Sequence, residues 1–385
     1  AEAFVDGRPF KLDAKWVIDT DPVSEYEESR GYKSMRAIRF NRTYKGIRTN
    51  AGAFTVYVSK ISGEVVSYSI GWRKTLFAEP KPKLDVAAAA RIFLEQVKPI
   101  LTNGGGDGMP GVLAYEMARS YRIDAMTGKL IESFNLEEPT WYKVVGKPRV
   151  PKALATKLLM SLYDIELQYV DPNADVNATK ETLAYFLKLK PATPRFYTGQ
   201  GPSVNANNGE WMDFIGQPLA GPVPEASDWL IAAAASADRI TYPAAIAVDG
   251  NFAALTVEPR LRKGIALASS REFLGALKAT FQWNAKSKQI TAVKDGSKLV
   301  LTVGSNRAIR NGKTILLPTP PELANGRTYI PAAAVAQAFG GDAVWNASSR
   351  MLLLRTAKKG ISPSEAELGR LRWAAQLQGE LSQIR

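Results

Sequence analysis

Residues 36–72 alternate between apolar and polar side chains, and this period of two predicts antiparallel strands. The triplet Ser62-Gly63-Glu64 interrupts the alternation and predicts a turn between two of them. From Lys83 to Leu101, apolar residues recur with a helical period, which predicts a helix with Asp85 as its N-cap. This part of the chain is therefore predicted to form a meander followed by a helix.

The same plan recurs further along the chain. Residues 112–133 alternate again, with a turn predicted at Met126-Thr127-Gly128, and a second helix is predicted for Pro151–Val170. Leu183-Ala184-Tyr185 repeats Leu113-Ala114-Tyr115 at an offset of 70 residues. NANNGEW (205–211) matches DAMTGKL (124–130) at an offset of 81, which the Gly- and Pro-rich insertion 190–202 lengthens. The N-terminal half is therefore predicted to hold two repeats.

A different repeat fills the chain from Tyr242 to about Ala357. Trp283-Asn284-Ala285 returns as Trp345-Asn346-Ala347, and the same offset of 62 residues carries Gly264 onto Gly326. Each copy is predicted to contain a turn, a short strand, a small helix and a strand with the Trp. We assign Gly326 to a turn and Pro331 to the start of a helix, and we expect both Trp residues to belong to the structural core.

Composition divides the chain further. Two repeats are predicted at 1–138 and 139–220, a linker at 221–240, the 62-residue repeats at 241–358 and an amphipathic helix at 359–385. Ser362, Pro363 and Glu365 form a predicted capping box at the start of that helix. Its apolar face is formed by Leu368, Leu371, Ala374, Leu377, Leu381 and Ile384.

The C-terminal repeats resemble the copper amine oxidase N-terminal-like domain, or stalk domain, found in many secreted Gram-positive proteins. The matching positions of the second copy are Asn325, Gly326, Arg327, Tyr329, Ile330, Pro331, Val335, Phe339, Gly340 and Trp345. The first copy fits more loosely, at Gly264, Leu267, Phe273, Leu277 and Trp283. The resemblance implies a fold and an extracellular location. It implies no copper site, because copper amine oxidases bind copper through three His in another domain and this chain contains no His.

The N-terminal repeats resemble PepSY-like repeats of the YcdB/YcdC kind. The segment IDAMTGKLI (123–131) and the two Leu-Ala-Tyr triplets carry the resemblance, whereas NANNGEW (205–211) is a degenerate match. Such domains are often inhibitors or chaperones of secreted proteases, which the resemblance implies as an alternative function. Residues 1–72 look like a unit that lacks most of its opening helix, so we expect the sequence to be part of a longer chain.

The composition narrows the chemistry. The chain contains neither Cys nor His, which excludes disulfides and thiolate catalysis and removes the commonest general base. Cys-free chains are frequent among secreted Gram-positive proteins. Its 50 Lys and Arg and 37 Asp and Glu give a net charge of +13, which attracts polyanions such as a wall polymer. Nucleic acid is not favoured, and the alternative is an ordinary solvated surface.

One segment contains candidate metal ligands. Asp171, Asn173, Asp175 and Asn177 occupy alternate positions, as in a calcium loop, and their oxygen atoms suit calcium. The segment has Val176 where such loops have Gly, so the alternative is a polar turn. No other cofactor is predicted. Trp141, Tyr142, Trp211 and Trp229 lie near predicted loops and could stack on sugars, although most such residues belong to cores.

We therefore predict an α+β, multidomain protein of small antiparallel sheets, each packed with a helix and internally repeated. The leading function is that of a non-enzymatic extracellular structural or binding protein of the Gram-positive envelope, such as a surface-layer or filament component. It would associate with itself or with an anionic wall polymer. The alternatives are a PepSY-type inhibitor or chaperone of a secreted protease, and a wall hydrolase that uses carboxylates only. No membrane span is predicted.

Overall fold

The chain divides into an N-terminal unit, Ala1–Ala233, and a C-terminal unit, Ala234–Arg385. The border lies within the segment 221–240, which the sequence marks as a linker. Both units consist of small sheets packed with helices, which confirms the predicted α+β class. The structure, a computed structural model, describes residues 15–18, 34–104, 111–117, 121–132, 146–171, 180–194, 201–213, 216–235 and 239–384.

The described residues up to the border form thirteen strands and three helices. The strands are β1 (Lys15–Ile18), β2 (Met35–Tyr44), β3 (Ile47–Ser59), β4 (Val65–Trp72), β5 (Leu76–Phe77), β6 (Ile100–Gly104), β7 (Val112–Glu116), β8 (Tyr121–Asp124), β9 (Leu130–Glu132), β10 (Tyr163–Val170), β11 (Lys180–Leu189), β12 (Ser203–Asn205) and β13 (Trp211–Met212). The helices are α1 (Val86–Gln96), α2 (Lys152–Met160) and α3 (Asp228–Ala234).

These strands form two sheets. The larger one has the order β1-β2-β3-β10-β11-β8-β9, with β4 also paired to β3 and β5 to β11. It includes the predicted meander, whose turn at Gly63 has a φ of 73°. The smaller sheet has the order β13-β12-β7-β6.

Both predicted helices exist but end early. The carboxylate of Asp85 caps α1 by accepting a hydrogen bond from the amide of Ala88 at 2.7 Å, as predicted. The helix ends at Gln96 because Pro99 follows, and a residue before proline avoids the helical conformation. The second helix ends at Met160, and the rest of its predicted range is strand β10. The alternation of Asp164, Glu166 and Gln168 with apolar residues there was a strand signal.

The two N-terminal repeats build the same hairpin turn. In the first repeat, the side chain of Asp124 accepts the amide of Met126 at 2.8 Å and Gly128 has a φ of 75°. In the second, the side chain of Asn205 accepts the amide of Asn207 at 2.9 Å and Gly209 has a φ of 77°. The degenerate sequence of the second copy therefore keeps the same backbone, because Asn can replace Asp in this turn.

Each hairpin pairs with the Leu-Ala-Tyr strand of the other repeat. β8 pairs with β11 and β12 pairs with β7, both antiparallel. The amide of Ala125 donates to Leu183 at 2.9 Å, and the amide of Ala206 donates to Leu113 at 2.8 Å. The repeats thus exchange strands reciprocally, and the boundary predicted at residue 138 lies outside the described residues.

The tyrosines of the two triplets follow the same exchange. The hydroxyl of Tyr115 donates to the carbonyl of Val150 at 3.2 Å, just before α2. The hydroxyl of Tyr185 donates to the carbonyl of Leu84 at 2.7 Å, just before α1. Each triplet therefore anchors the helix entry of the other repeat, and each buried hydroxyl has a partner.

The C-terminal unit contains thirteen strands and three helices in its described residues. The strands are β14 (Ala245–Val248), β15 (Asn251–Phe252), β16 (Arg260–Arg262), β17 (Ile265–Ser269), β18 (Thr280–Asn284), β19 (Gln289–Lys294), β20 (Ser297–Thr302), β21 (Arg307–Arg310), β22 (Lys313–Leu316), β23 (Glu322–Ala324), β24 (Arg327–Pro331), β25 (Asp342–Asn346) and β26 (Met351–Arg355). The helices are α4 (Ser270–Ala276), α5 (Ala332–Ala338) and α6 (Glu365–Ser382).

The offset of 62 residues holds throughout this unit. Strands β16, β17 and β18 and helix α4 coincide to the residue with β23, β24, β25 and α5. Strand β17 pairs antiparallel with β24, and the equivalent residues Ala268 and Ile330 pair with each other at the centre. The two copies are therefore related by a pseudo-twofold axis through this pair.

Both copies contribute to one core. It is formed by buried side chains of β17, β19, β20, β24 and β26 and of both small helices. Phe273 of the first copy has Val335 as its equivalent in the second, and Ala292 has Leu354. A large residue in one copy thus corresponds to a smaller one in the other, which keeps the shared core filled.

Helix α6 packs on its own unit. Its Leu368, Leu371 and Ala375 contact a cluster that includes Tyr242 and Leu353. Arg372 is 3% exposed and donates to the carbonyl of Ala235 at 2.8 Å and to the hydroxyl of Ser349 at 3.0 Å, while also pairing with Glu365. Burial raises the pKa of Tyr242 to about 12.

The capping box of α6 lies two residues beyond its predicted position. The hydroxyl of Ser364 accepts the amide of Glu367 at 3.2 Å, and the amide of Ser364 donates to the carboxylate of Glu367 at 2.7 Å. The prediction of a box at Ser362 and Glu365 was therefore wrong, because Ser364 and Glu367 have the same spacing. Pro363 precedes the cap instead of opening the helix.

We expect Ser364→Ala to lower the free energy of unfolding of the C-terminal unit by about 1 kcal/mol, because the first turn of α6 loses its cap. Ser362→Ala is the matched control and should change it by less than about 0.5 kcal/mol. Denaturant-induced unfolding of the three proteins measures both values. Equal effects of the two substitutions would contradict the observed cap.

Candidate functional site

The two repeat tryptophans are not core residues, so that prediction was wrong. Trp283 is 42% exposed and Trp345 is 37% exposed. Each pairs across its hairpin with a buried residue, Ile290 or Leu352. However, β18 and β25 are edge strands of their sheets, so each indole lies at the rim of the core.

The other two predicted structural residues have the expected local roles. Gly326 has a φ of 71° in the turn between β23 and β24, but it is exposed and contributes nothing to the core. Pro331 is buried, ends β24 and serves as the N-cap residue of α5. Both residues therefore shape the backbone of the repeat.

The predicted calcium loop lies largely outside the described residues. Only Asp171 of its four ligands is described; Asn173, Asp175 and Asn177 are not. Within the described part of the chain, no group of three or more acidic side chains is arranged to hold a metal ion. Calcium binding by this segment stays a prediction.

The N-terminal unit contains a buried carboxylate, Glu181, at the start of β11. It is 1% exposed. The hydroxyl of Thr49 on β3 donates to it, and the guanidinium of Arg73 lies 3.5 Å from its Oε1 atom. Burial raises the pKa of Glu181, while the hydrogen bond from Thr49 and the positive charge of Arg73 oppose this shift.

Aromatic side chains surround this carboxylate. The guanidinium of Arg42 stacks at 3.7 Å over the ring of Trp72 and donates to the carbonyl of Arg73 at 3.0 Å. Phe77, whose strand pairs with that of Glu181, stacks on Tyr44 at 4.5 Å between ring centroids. We call Glu181, Thr49, Arg73 and Arg42 the Glu181 junction, because it joins the meander to β11.

The Glu181 junction is suited to holding strands together. A carboxylate that is 1% exposed cannot contact a substrate in this conformation. Its partners come from β2, β3 and the segment after β4. This geometry gives no support to carboxylate catalysis at Glu181, and it makes the carboxylate a positioning group between strands.

Positive charge is concentrated in the C-terminal unit. Residues 234–385 contain 21 Lys and Arg and 10 Asp and Glu, a net charge of +11. Residues 1–233 contain 29 and 27, a net charge of +2. Strands β18–β22 form one five-stranded sheet, and residues 280–316, which span it, contain seven basic residues and one acidic residue. We call it the basic sheet.

The basic residues of this sheet are largely unneutralised. Lys294 pairs with Asp295 at 2.6 Å. Among the described residues, no carboxylate forms an ion pair with the other six, which are Lys286, Lys288, Lys298, Arg307, Arg310 and Lys313. Their combined field therefore acts on the solvent, where it attracts anions.

The face of the basic sheet opposite the core has an uncharged centre. Thr291, Val300, Ile309 and Thr314 lie side by side on neighbouring strands. Arg307 and Lys298 lie on the same face by register. The face thus combines uncharged contact area with flanking cations.

The aromatic residues proposed as sugar platforms are placed differently. Trp141 and Tyr142 lie outside the described residues. Trp211 and Trp229 are half-buried, and the indole of Trp229 donates to the carbonyl of Tyr163 at 3.2 Å. The more exposed indoles are Trp283 and Trp345, which the sequence assigned to the core because of their repeat pattern.

Comparison with known proteins identifies the C-terminal repeats. The family described as Copper amine oxidase N-terminal domain matches residues 247–354, which confirms the resemblance found in the sequence. This is a non-catalytic domain of those enzymes. No curated protein matches the chain. Among the described helices, none is long and apolar enough to cross a membrane.

The raised pKa of Glu181 predicts a pH dependence of stability. A carboxyl group whose pKa rises on folding holds its proton more tightly in the folded chain, so its ionisation disfavours folding. Its contribution to the free energy of unfolding should therefore fall as the pH rises from about 4.3, the ordinary value, to the folded pKa.

Glu181→Gln cannot ionise and should lack this fall, so its stability relative to the parent should increase with pH. Glu64→Gln, at an exposed turn position, is the matched control. Urea unfolding of the N-terminal unit between about pH 4 and about pH 8 measures the difference. Parallel pH profiles for the parent and Glu181→Gln would show that the carboxylate is not perturbed.

Proposed function

We propose that this protein is a non-enzymatic, extracellular binding protein of the Gram-positive cell envelope, and that its C-terminal unit binds an anionic polymer of the wall. The observation that carries the proposal is the concentration of charge, with +11 of the net +13 in the C-terminal unit. Six basic residues of the basic sheet without ion pairs provide the binding surface.

Several features support a binding role. The chain lacks the His and Cys used by most nucleophilic and metal-dependent enzymes. The buried acid of the N-terminal unit, Glu181, is sealed among strands. The matched C-terminal family is a non-catalytic domain. Resemblance to domains of secreted proteins and the Cys-free composition support the extracellular location.

The structure changes the argument for self-assembly. The apolar face of the C-terminal helix motivated association with a second copy. In α6, however, Leu368, Leu371 and Ala375 are covered by the helix's own unit, and Arg372 is held by hydrogen bonds. This helix therefore offers no free apolar stripe of that kind, and the wall polymer becomes the better supported partner.

A second candidate function belongs to the N-terminal unit. The reciprocal exchange of Leu-Ala-Tyr strands supports a true duplication there, as a PepSY-like origin would require. On that reading the unit would inhibit or assist a secreted protease. It would then form a one-to-one complex with such an enzyme, which size-exclusion chromatography of the mixture would reveal.

The charge proposal predicts the effect of reversing charges on the basic sheet. The triple variant Lys298→Glu, Arg307→Glu, Lys313→Glu should bind purified Gram-positive walls at least about tenfold more weakly, because about 1.4 kcal/mol of attraction corresponds to that factor. Parent binding should also weaken as salt rises, since exposed charges are screened beyond about 8 Å at physiological ionic strength. Co-sedimentation with walls measures both effects.

The matched control reverses the same number of charges on the N-terminal unit. Lys81, Lys129 and Lys152 are exposed there, and changing all three to Glu alters the net charge equally. This control should keep most of the wall binding. Equal losses in the two triple variants would show that net charge, and not the basic sheet, governs binding; absence of parent binding at low salt would refute the proposal.

A further inference from the structure

The two Trp-Asn-Ala hairpins are the part of the 62-residue repeat that diverges least. Trp283-Asn284-Ala285 and Trp345-Asn346-Ala347 form the longest identical run between the copies, followed in each by one residue, a Ser and a basic residue. Buried equivalents differ over the same range, as in Phe273 against Val335. Surface residues were therefore retained where core residues changed.

The fold explains the Asn of each hairpin. The side chain of Asn284 accepts the amides of Lys286 at 3.0 Å and Ser287 at 3.1 Å. The side chain of Asn346 accepts the amide of Ser349 at 2.8 Å and the hydroxyl of Ser348 at 2.9 Å. Each Asn thus closes its four-residue loop, which accounts for its presence in both copies.

The fold does not explain the Trp in the same way. A side chain that is 42% or 37% exposed leaves much apolar area in water, which a smaller residue would avoid. Both indoles lie on edge strands, where a ligand can reach them. An exposed aromatic ring that recurs at equivalent positions is a candidate contact for a flat, weakly polar surface.

A cation accompanies each ring. Lys288 ends the first loop and Arg350 ends the second, at equivalent positions with φ values of 53° and 46°. Both are exposed. Lys286 adds a further exposed charge to the first hairpin. Each hairpin therefore presents an aromatic platform and a positive charge on the same short element.

We propose that the two hairpins bind an acidic polysaccharide, with each indole stacking on a sugar ring and Lys288 or Arg350 binding its acidic groups. This inference rests on the proposed function and names the chemical class of its polymer. Sugar rings present C–H faces that pack on indoles, whereas a sugar-free polyanion uses the charges alone. The two equivalent hairpins give one chain two contacts, which strengthens binding to a polymer through avidity.

The test compares the full chain with Trp283→Ala, Trp345→Ala and the double variant, by calorimetric titration with polygalacturonate, a polymer of acidic sugar. The double variant should bind at least about tenfold more weakly, as is usual when an aromatic anchor is truncated. Trp→Phe at both positions should retain part of the affinity. Binding of polyphosphate, which has no sugar, should stay unchanged in all variants.

Controls separate this inference from the wall-binding proposal. Leu316→Ala removes an exposed apolar side chain from the basic sheet and should leave the affinity for polygalacturonate unchanged. If the triple charge reversal abolishes wall binding but the double Trp variant binds polygalacturonate like the parent, the wall-binding proposal stands and this inference fails. If Trp loss weakens polyphosphate equally, the indoles support the fold and the inference fails.

Two other ligands are outcomes that would overturn the inference. A larger loss of affinity for single-stranded oligodeoxythymidine than for polygalacturonate would assign the indoles to nucleic acid, whose bases also stack on aromatic rings. A change in sedimentation coefficient of the free chain upon Trp substitution would assign them to contact between copies.

Discussion

A small sheet with one helix leaves an edge and part of its apolar face uncovered, and both halves of this chain remove that exposure by pairing two copies of one unit. In the N-terminal unit, β8 pairs with β11 and β12 with β7, so neither repeat closes its sheets alone. In the C-terminal unit, β17 pairs with β24 around Ala268 and Ile330. The remaining features of the fold follow from these pairings.

The pairing in the C-terminal unit also determines which residues face the solvent. Because the two copies meet at β17 and β24, strands β18 and β25 become edges of their own sheets. Their tryptophans consequently lie at the rim of the shared core instead of within it. The basic sheet continues from β18, so the exposed Trp283 and most of its lysines belong to one continuous surface.

Covered polar groups stabilise the connections between these sheets. Glu181 joins β11 to the meander through Thr49 and Arg73, at the cost of burying a carboxylate. Arg372 fixes α6 to Ser349 of the second Trp-Asn-Ala hairpin and to the chain before β14. These two buried charged groups position strands and helices, and the exposed cations of the basic sheet remain available to a partner.

Local patterns in the sequence determined much of this protein. The meander, the cap at Asp85, the turns at Gly128 and Gly326 and the repeat offset of 62 residues depend on neighbouring residues, whose preferences are expressed within a few positions. The capping box was placed two residues too early because two serines satisfy the same spacing, and only the packing of α6 selects Ser364. Strand β10 was taken for helix because Leu and Tyr fit both periods, and its pairing with β11 decides the matter. The exposure of Trp283 and Trp345, the exchange of strands between the N-terminal repeats and the burial of Glu181 were decided by the tertiary structure alone. Each depends on which strands meet, and these partners lie tens of residues apart, where sequence periodicity contains no information about contact.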